Sequence, residues 1–162
     1  MRTHTVIDSP IGPLTLVADD GALAGLYMDT QRHLPDGSTR GRVDDTALPA
    51  LREQLTAYFS GALLEFDVPV AMSGTPFQLR VWEGLRRIPY GVTWSYGRLA
   101  TELGQPGASR AVGLANGRNR VGIVVPCHRV VGSTGGLTGY GGGLARKQFL
   151  LDLEAGRPTL PW

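Results

Sequence analysis

Ser95-Tyr96-Gly97-Arg98-Leu99-Ala100-Thr101-Glu102-Leu103-Gly104, then Gln105-Pro106-Gly107, then Ala108-Ser109-Arg110-Ala111-Val112-Gly113-Leu114-Ala115-Asn116 is the stretch on which the fold turns. Its first piece predicts a helix from about Ser95 to Leu103, stopped at Gly104. The tripeptide makes a tight turn, and a further helix follows from Ala108 to about Asn116. Two short helices joined through a glycine-containing turn form a helix-turn-helix, although many helical hairpins share that outline. The further helix is slim, because Ala108, Ser109, Ala111, Gly113 and Ala115 leave Arg110 as its large polar group. A slim helix approaches another surface closely, and that surface is either a ligand or the protein's own core.

Just upstream, Thr75-Pro76-Phe77-Gln78 opens another helix with a capping box and proline at its first position. Phe77, Val81, Leu85 and Ile88 give its apolar stripe. Ala71-Met72-Ser73-Gly74 is the expected linker, and the charge balance changes sign there. Residues 1–75 carry a net −5 and residues 76–162 a net +7. A basic half suits a polyanionic partner, and a solvated surface of uneven composition gives the same numbers.

The acidic half predicts strands at Thr5–Asp8, Leu14–Ala18 and Leu23–Met28, punctuated by Ser9-Pro10-Ile11-Gly12-Pro13 and Asp19-Asp20-Gly21. Residues 29–46 read as an exposed loop. Leu48, Leu51, Leu55 and Tyr58-Phe59 follow helical spacing, and Phe66, Val68 and Val70 alternate as a last strand. This half shows no chemical constellation and is expected to be scaffold.

Beyond the slim helix runs Val121-Gly122-Ile123-Val124-Val125-Pro126-Cys127-His128-Arg129-Val130-Val131. Val121–Val125 is apolar on both faces and predicts a buried strand. Cys127 is the one cysteine of 162 residues, so no intrachain disulfide forms. A lone cysteine is either a small buried hydrophobe or a nucleophile, and a nucleophile needs a base or positive field nearby. His128 is adjacent, but neighbours on a strand face apart, so a water or a turn is required between them. Gly132–Gly143 holds seven glycines and one aromatic, Tyr140, which makes a loop able to lie against a flat ligand. No Gly-Lys-Ser/Thr closes it as a phosphate loop. The final helix, Leu144 to about Ala155, places Glu154 in its last turn, where the helix dipole disfavours an acid. No metal-ligand pattern exists, and no metal is expected. No apolar run reaches membrane-spanning length and no signal peptide opens the chain, so a cytoplasmic protein is expected.

Ile123-Val124-Val125-Pro126-Cys127-His128-Arg129-Val130-Val131 resembles the active-site signature of the O6-alkylguanine-DNA alkyltransferases. Ile88-Pro89-Tyr90-Gly91, Ser95-Tyr96-Gly97, Ser109-Arg110-Ala111-Val112-Gly113, Asn119 and Gly139-Tyr140-Gly141-Gly142-Gly143 fall in the same order as in that family. Ser9-Pro10-Ile11-Gly12 and Tyr58-Phe59-Ser60-Gly61 look like its N-terminal domain. The resemblance implies an α/β (α+β) fold. A small ribonuclease-H-like α/β domain at 1–72 would precede a winged helix-turn-helix-like domain at 76–162, with the helix-turn-helix at about 95–117. It implies irreversible, single-turnover transfer of an alkyl group from O6-alkylguanine, and by extension O4-alkylthymine, to Cys127. His128 would act through a water as base, Glu154 would orient His128, and Tyr96 would protonate guanine N3. Asn119 would tie the helix to the active-site strand. Val130, Tyr140 and Gly141 would line the base pocket. Arg110, Ser109, Ala111, Ala115 and Tyr96 would contact DNA, with Arg110 filling the gap left by the flipped nucleotide. The partner would be double-stranded DNA, with no cofactor and no membrane, met by a monomer able to assemble cooperatively on DNA.

Three positions depart from the family pattern and bear on substrate range: Trp94 is bulky, Arg120 replaces a proline, and Gly141 stands where some members have serine. The cysteines of the metal site found in some N-terminal domains are missing. Two other classes stand beside the transferase: a non-catalytic lesion sensor with the same helix-turn-helix, and a cysteine hydrolase using Cys127 and His128.

Overall fold

The computed structural model describes residues 1–159; the last three residues of the predicted 76–162 unit lie outside them. Strands β1 (Arg2–Ile7), β2 (Leu14–Asp19) and β3 (Ala22–Met28) form an antiparallel meander. Ser9 shapes the first turn by accepting from the Ile11 N–H and donating to the Gly12 carbonyl. The 29–46 loop contains more structure than its sequence predicts. It holds a 3-10 turn (Gly37–Arg40) and a two-residue strand, β4 (Arg42–Val43), parallel to β1. The sheet order is β3-β2-β1-β4. Helix α1 (Pro49–Phe59) buries Leu51, Leu55 and Tyr58.

Phe66, Val68 and Val70 do not form the predicted strand. Only Val70 bridges to Leu23, while Phe66 and Val68 are half-buried anchors packed on the core. Their alternation records burial of one side of an extended segment that pairs with β3 at a single point, where the Leu23 N–H donates to the Pro69 carbonyl and the Ala71 N–H donates to the Leu23 carbonyl.

Helix α2 (Pro76–Leu85) starts as its sequence predicts: Thr75 accepts from the Gln78 N–H and the Gln78 side chain accepts from the Thr75 N–H. A short strand, β5 (Trp94–Ser95), leads into α3 (Tyr96–Glu102), capped by the Ser95 hydroxyl. After the Gly104–Ala108 turn comes α4 (Ser109–Gly117). Strand β6 (Val130–Val131) pairs parallel with β5, and α5 (Leu144–Glu154) closes the described fold. No helix among the described residues is long and apolar enough to cross a membrane.

One hydrophobic core runs through both halves, from Leu14, Leu26 and Tyr58 to Trp82, Val121 and Cys127. The outer edge of β3 is stitched to the cysteine segment. The Leu26 N–H donates to the Arg120 carbonyl at 2.9 Å, and the Gly122 N–H donates to the Leu26 carbonyl at 3.3 Å. Edge groups of the sheet are thereby satisfied, and the sheet becomes the floor beneath the cysteine.

Candidate active site

The segment before Cys127 is a coil, where a strand is predicted. Ile123 lies at φ +70°, a costly angle for a β-branched residue. It lets the Val124 N–H reach the Gly122 carbonyl at 2.8 Å and the Val125 N–H reach the Val121 carbonyl at 3.0 Å. Asn119 fills the middle of this coil. Its amide donates to the carbonyls of Val125 (2.8 Å) and Val121 (3.4 Å), and its oxygen accepts from the Val121 N–H (3.0 Å). The apolar run misleads because burial on every side erases periodicity, so strand and packed coil look alike.

Pro126 then hands the chain to a 3-10 turn, Cys127–Arg129. The turn resolves the problem of adjacent residues, since it lets Cys127, His128 and Arg129 each enter the interior. Cys127 is 6% exposed and His128 0%. Burial pushes the Cys127 thiol up; hydrogen bonding from Asn119 and the charge of Lys147 oppose it. His128 Nε2 meets Glu154 Oε2 at 2.7 Å, which assigns the proton to Nε2. Its other nitrogen, Nδ1, is buried with no partner among the described residues. Burial holds His128 below its ordinary pKa against the pull of Glu154, so the ring is neutral and Nδ1 carries a free lone pair.

Glu154 reaches this centre from the last turn of α5 and is fully engaged. Oε1 accepts from Arg129 Nε (2.8 Å) and the Gly91 N–H (3.3 Å); Oε2 accepts from Tyr58 (2.6 Å), His128 (2.7 Å) and Arg129 (3.0 Å). Burial alone would raise its carboxyl, but His128 and Arg129 overcome this and hold it far below the usual range. An acid disfavoured by its own helix is thus retained by partners from elsewhere.

The opposite wall is the glycine loop. Tyr140 is buried, and its hydroxyl has no partner among the described residues. The Gly141 carbonyl accepts from the Arg32 N–H at 2.7 Å. Arg146, at the start of α5, reaches the carbonyls of Ile11, Asp29 and Gly142 and the Asp29 carboxylate. Lys147 is the chain's sole lysine. Its ammonium donates to the carbonyls of Val130 (2.5 Å) and Thr138 (2.7 Å), and burial lowers its pKa to about 8. The carbonyl of Val130, the residue expected to line the base pocket, already accepts one bond from Lys147. Tyr96 stands at the head of α3, with its hydroxyl donating to the Thr138 carbonyl at 3.3 Å.

Helix α4 lies on the outside. Arg110, Ala111, Leu114, Gly117 and Arg118 are exposed, with Leu114 at 72%, and Ser109 is half-buried. Ala115 belongs to the other face and corrects the predicted DNA-facing set. It is 4% exposed, and its carbonyl accepts the Trp82 indole N–H at 2.8 Å. Gly113 faces the Tyr96 ring, and a Cβ there would sit in ordinary contact with it at 3.6 Å. Trp94 is buried, with the Arg98 guanidinium 4.7 Å above its ring.

Arg129, Lys147 and Tyr58 complete the site but receive no role from the sequence reading. Lys147 had a signal, as the one lysine among sixteen basic residues. Tyr58 had none, being one more position in a helical apolar stripe.

Cysteine, neutral imidazole and carboxylate are gathered in one buried site behind a helix-turn-helix. Residues 76–156 match the model of the 6-O-methylguanine DNA methyltransferase DNA-binding domain, and residues 3–72 match that family's ribonuclease-like domain. The chain belongs to the 6-O-methylguanine DNA methyltransferase family. It is 53% identical to the methylated-DNA–protein-cysteine methyltransferase of Mycobacterium tuberculosis, across 97% of this chain and 94% of the relative. The Salmonella typhimurium protein of that name is 46% identical, across 91% and 92%. The crystal structure of Mycobacterium tuberculosis OGT in complex with DNA superposes with a TM-score of 0.90 at 52% identity, covering 96% of this chain and 94% of that one.

Proposed function

We propose that this chain repairs DNA by taking the alkyl group of O6-alkylguanine onto Cys127, once per molecule. The observation that carries this reading is the unpartnered lone pair of a buried, neutral His128 in the same turn as the buried thiol of Cys127. The thiol is held protonated by burial and needs a base at the moment of attack; His128 Nδ1 serves as that base through one water. As the sulfur–carbon bond forms, the O6–carbon bond breaks and its electron pair passes into the purine. Tyr96 supplies a proton at N3 and is reprotonated by solvent. Glu154 keeps the imidazole oriented, and Asn119 fixes the coil that presents the thiol.

The lesion reaches a thiol this deep only when flipped out of the duplex. Helix α4 enters the minor groove with Ser109, Arg110 and Ala111, and Arg110 replaces the extruded base. The guanine lies between Val130 and the Tyr140–Gly141 segment, where the Gly141 N–H faces O6. O4-alkylthymine is a second substrate of the same pocket. Residues 1–72 and 76–162 act as two domains of a monomer that assembles cooperatively on DNA, in a cytoplasm reducing enough to keep the lone thiol free.

Intact-mass measurement after incubation with duplex DNA carrying O6-methylguanine tests the reading. The expected result is one added methyl per chain, located on the Cys127 peptide and absent in Cys127→Ser. No adduct, or an adduct that survives that substitution, overturns it. Repeated turnover of an ester or amide would assign the chain to the hydrolases.

A further inference from the structure

The carboxylate oxygen that receives the His128 proton bond also receives a proton bond from the other half of the chain. Tyr58 lies in the middle of the apolar face of α1, 0% exposed, in the half expected to be scaffold. Its hydroxyl donates to Glu154 Oε2 at 2.6 Å, the same oxygen that His128 Nε2 meets at 2.7 Å. The ring is clamped by Phe59 and Phe66, each at 5.3 Å between centroids, and stands edge-on to Tyr90 at 6.2 Å. Tyr90 in turn lies 5.8 Å from the Arg129 guanidinium.

We propose that Tyr58 is a positioning residue of the transfer site, setting through Glu154 both the orientation and the basicity of His128. This rests on the reading of Cys127 as alkyl acceptor and His128 as its base. Three donors, Tyr58, His128 and one Arg129 nitrogen, share that oxygen and compete for its electron density. The phenol therefore weakens the acceptor that Glu154 offers to His128, and it stops the carboxylate from rotating about the Arg129 fork. The phenol stays protonated, since burial and then the Glu154 charge disfavour its anion. The charged and titratable groups bearing on this pair are Arg129 in the same 3-10 turn, Lys147 on α5, Cys127, Tyr140 on the glycine loop and Tyr90. Among them, Tyr58 and Arg129 are the side chains besides His128 that touch the Glu154 carboxylate. The N-terminal half thereby supplies part of the proton relay.

The experiment compares the full chain with Tyr58→Phe, which deletes one oxygen and keeps the ring, and with Phe66→Leu, which loosens the same packing without touching Glu154. Three quantities are read: the single-turnover methyl transfer rate on O6-methylguanine duplex, its pH profile, and the NMR resonance of the His128 Nε2 proton. In Tyr58→Phe the stronger carboxylate acceptor makes His128 more basic. The ring proton then moves downfield, and the acid limb of the rate profile rises by about half a pH unit. The plateau rate falls about fivefold, as for loss of one modest hydrogen bond in the relay. Phe66→Leu lowers thermal stability and leaves all three where they are. The proposal is overturned if Tyr58→Phe matches the wild type in limb and resonance, or if Phe66→Leu moves them equally. If the wild-type chain transfers no methyl, the functional reading falls while the His128 resonance still decides the role of Tyr58.

Discussion

The Lys147 ammonium and the Tyr96 hydroxyl share one acceptor, the Thr138 carbonyl, at 2.7 Å and 3.3 Å. The second Lys147 bond, to Val130, ties the same ammonium to the strand that follows the cysteine turn. One cation therefore sets the distance between the glycine loop, the proposed proton donor and the strand beyond the nucleophile. Lys147→Met keeps the volume and deletes both bonds. We expect transfer to fall about tenfold, since bonds from a charged donor are individually strong, and limited proteolysis to cut within Gly132–Gly139 sooner. The burial that lowers this lysine to about 8 adds a stability signature. Between pH 8 and the ordinary lysine pKa the unfolded chain binds more protons, so folding stability rises with pH across that window. Urea titrations at pH 7.5 and 9.5 should show the rise in wild type and not in Lys147→Met.

Asn119 satisfies three backbone groups of a coil that has no ladder of its own. Asn119→Ala leaves the buried Val121 N–H without its partner, and the expected cost is about 3 kcal/mol of folding stability. Chemical denaturation measures this directly. The same substitution removes the hydrogen bonding that holds the Cys127 thiol down, so the thiol should titrate higher.

Arg110 is exposed on α4. Arg110→Ala should slow transfer from duplex DNA by about thirtyfold, the scale of an unstacking penalty no longer offset. Reaction with free O6-benzylguanine should stay within about twofold, because no base need be flipped. Equal losses on both substrates would remove Arg110 from the flipping step.

Acid should unfold this protein through its buried relay. The Glu154 carboxyl sits far below its ordinary value, so its contribution is complete above the unfolded carboxyl pKa and is lost as pH falls toward the folded one. His128 is also depressed, so the unfolded chain takes up its proton first as pH drops below about 6.5, which acts in the same direction. Stability should decline steadily from pH 6.5 to pH 3. Glu154→Gln should be less stable at neutral pH, with Arg129 left buried beside an amide, and should show a shallower slope below pH 5.

How much of this the sequence discloses depends on whether the cause is local. The Thr75–Gln78 box, the start at Ser95 and the Gly104 stop are short-range chemistry, and the helices begin within a residue of where they are read, although α2 stops at Leu85, three residues short of the Ile88 that its apolar stripe includes. The two failures among the strands, at Phe66–Val70 and Val121–Val125, both lie where a buried segment making a single bridge to β3 imitates a strand. Cys127, His128 and Glu154 are legible by motif, and Glu154 also by being an acid at the wrong helix end. Arg129, Lys147 and Tyr58 become visible only when α1, α5 and the 3-10 turn meet. Ala115 misleads for a related reason: one residue's rotation on α4 decides between solvent and Trp82, and spacing alone does not fix it.

The partners of Glu154 lie 96, 63, 26 and 25 positions before it. During synthesis, then, the cysteine emerges well ahead of the carboxylate that orients its imidazole. A nascent chain that lacks α5 therefore presents its thiol and imidazole without the carboxylate that His128 meets in the folded protein. Placing that acid in the last turn of α5 makes the carboxylate the last of these bonded groups to be synthesised.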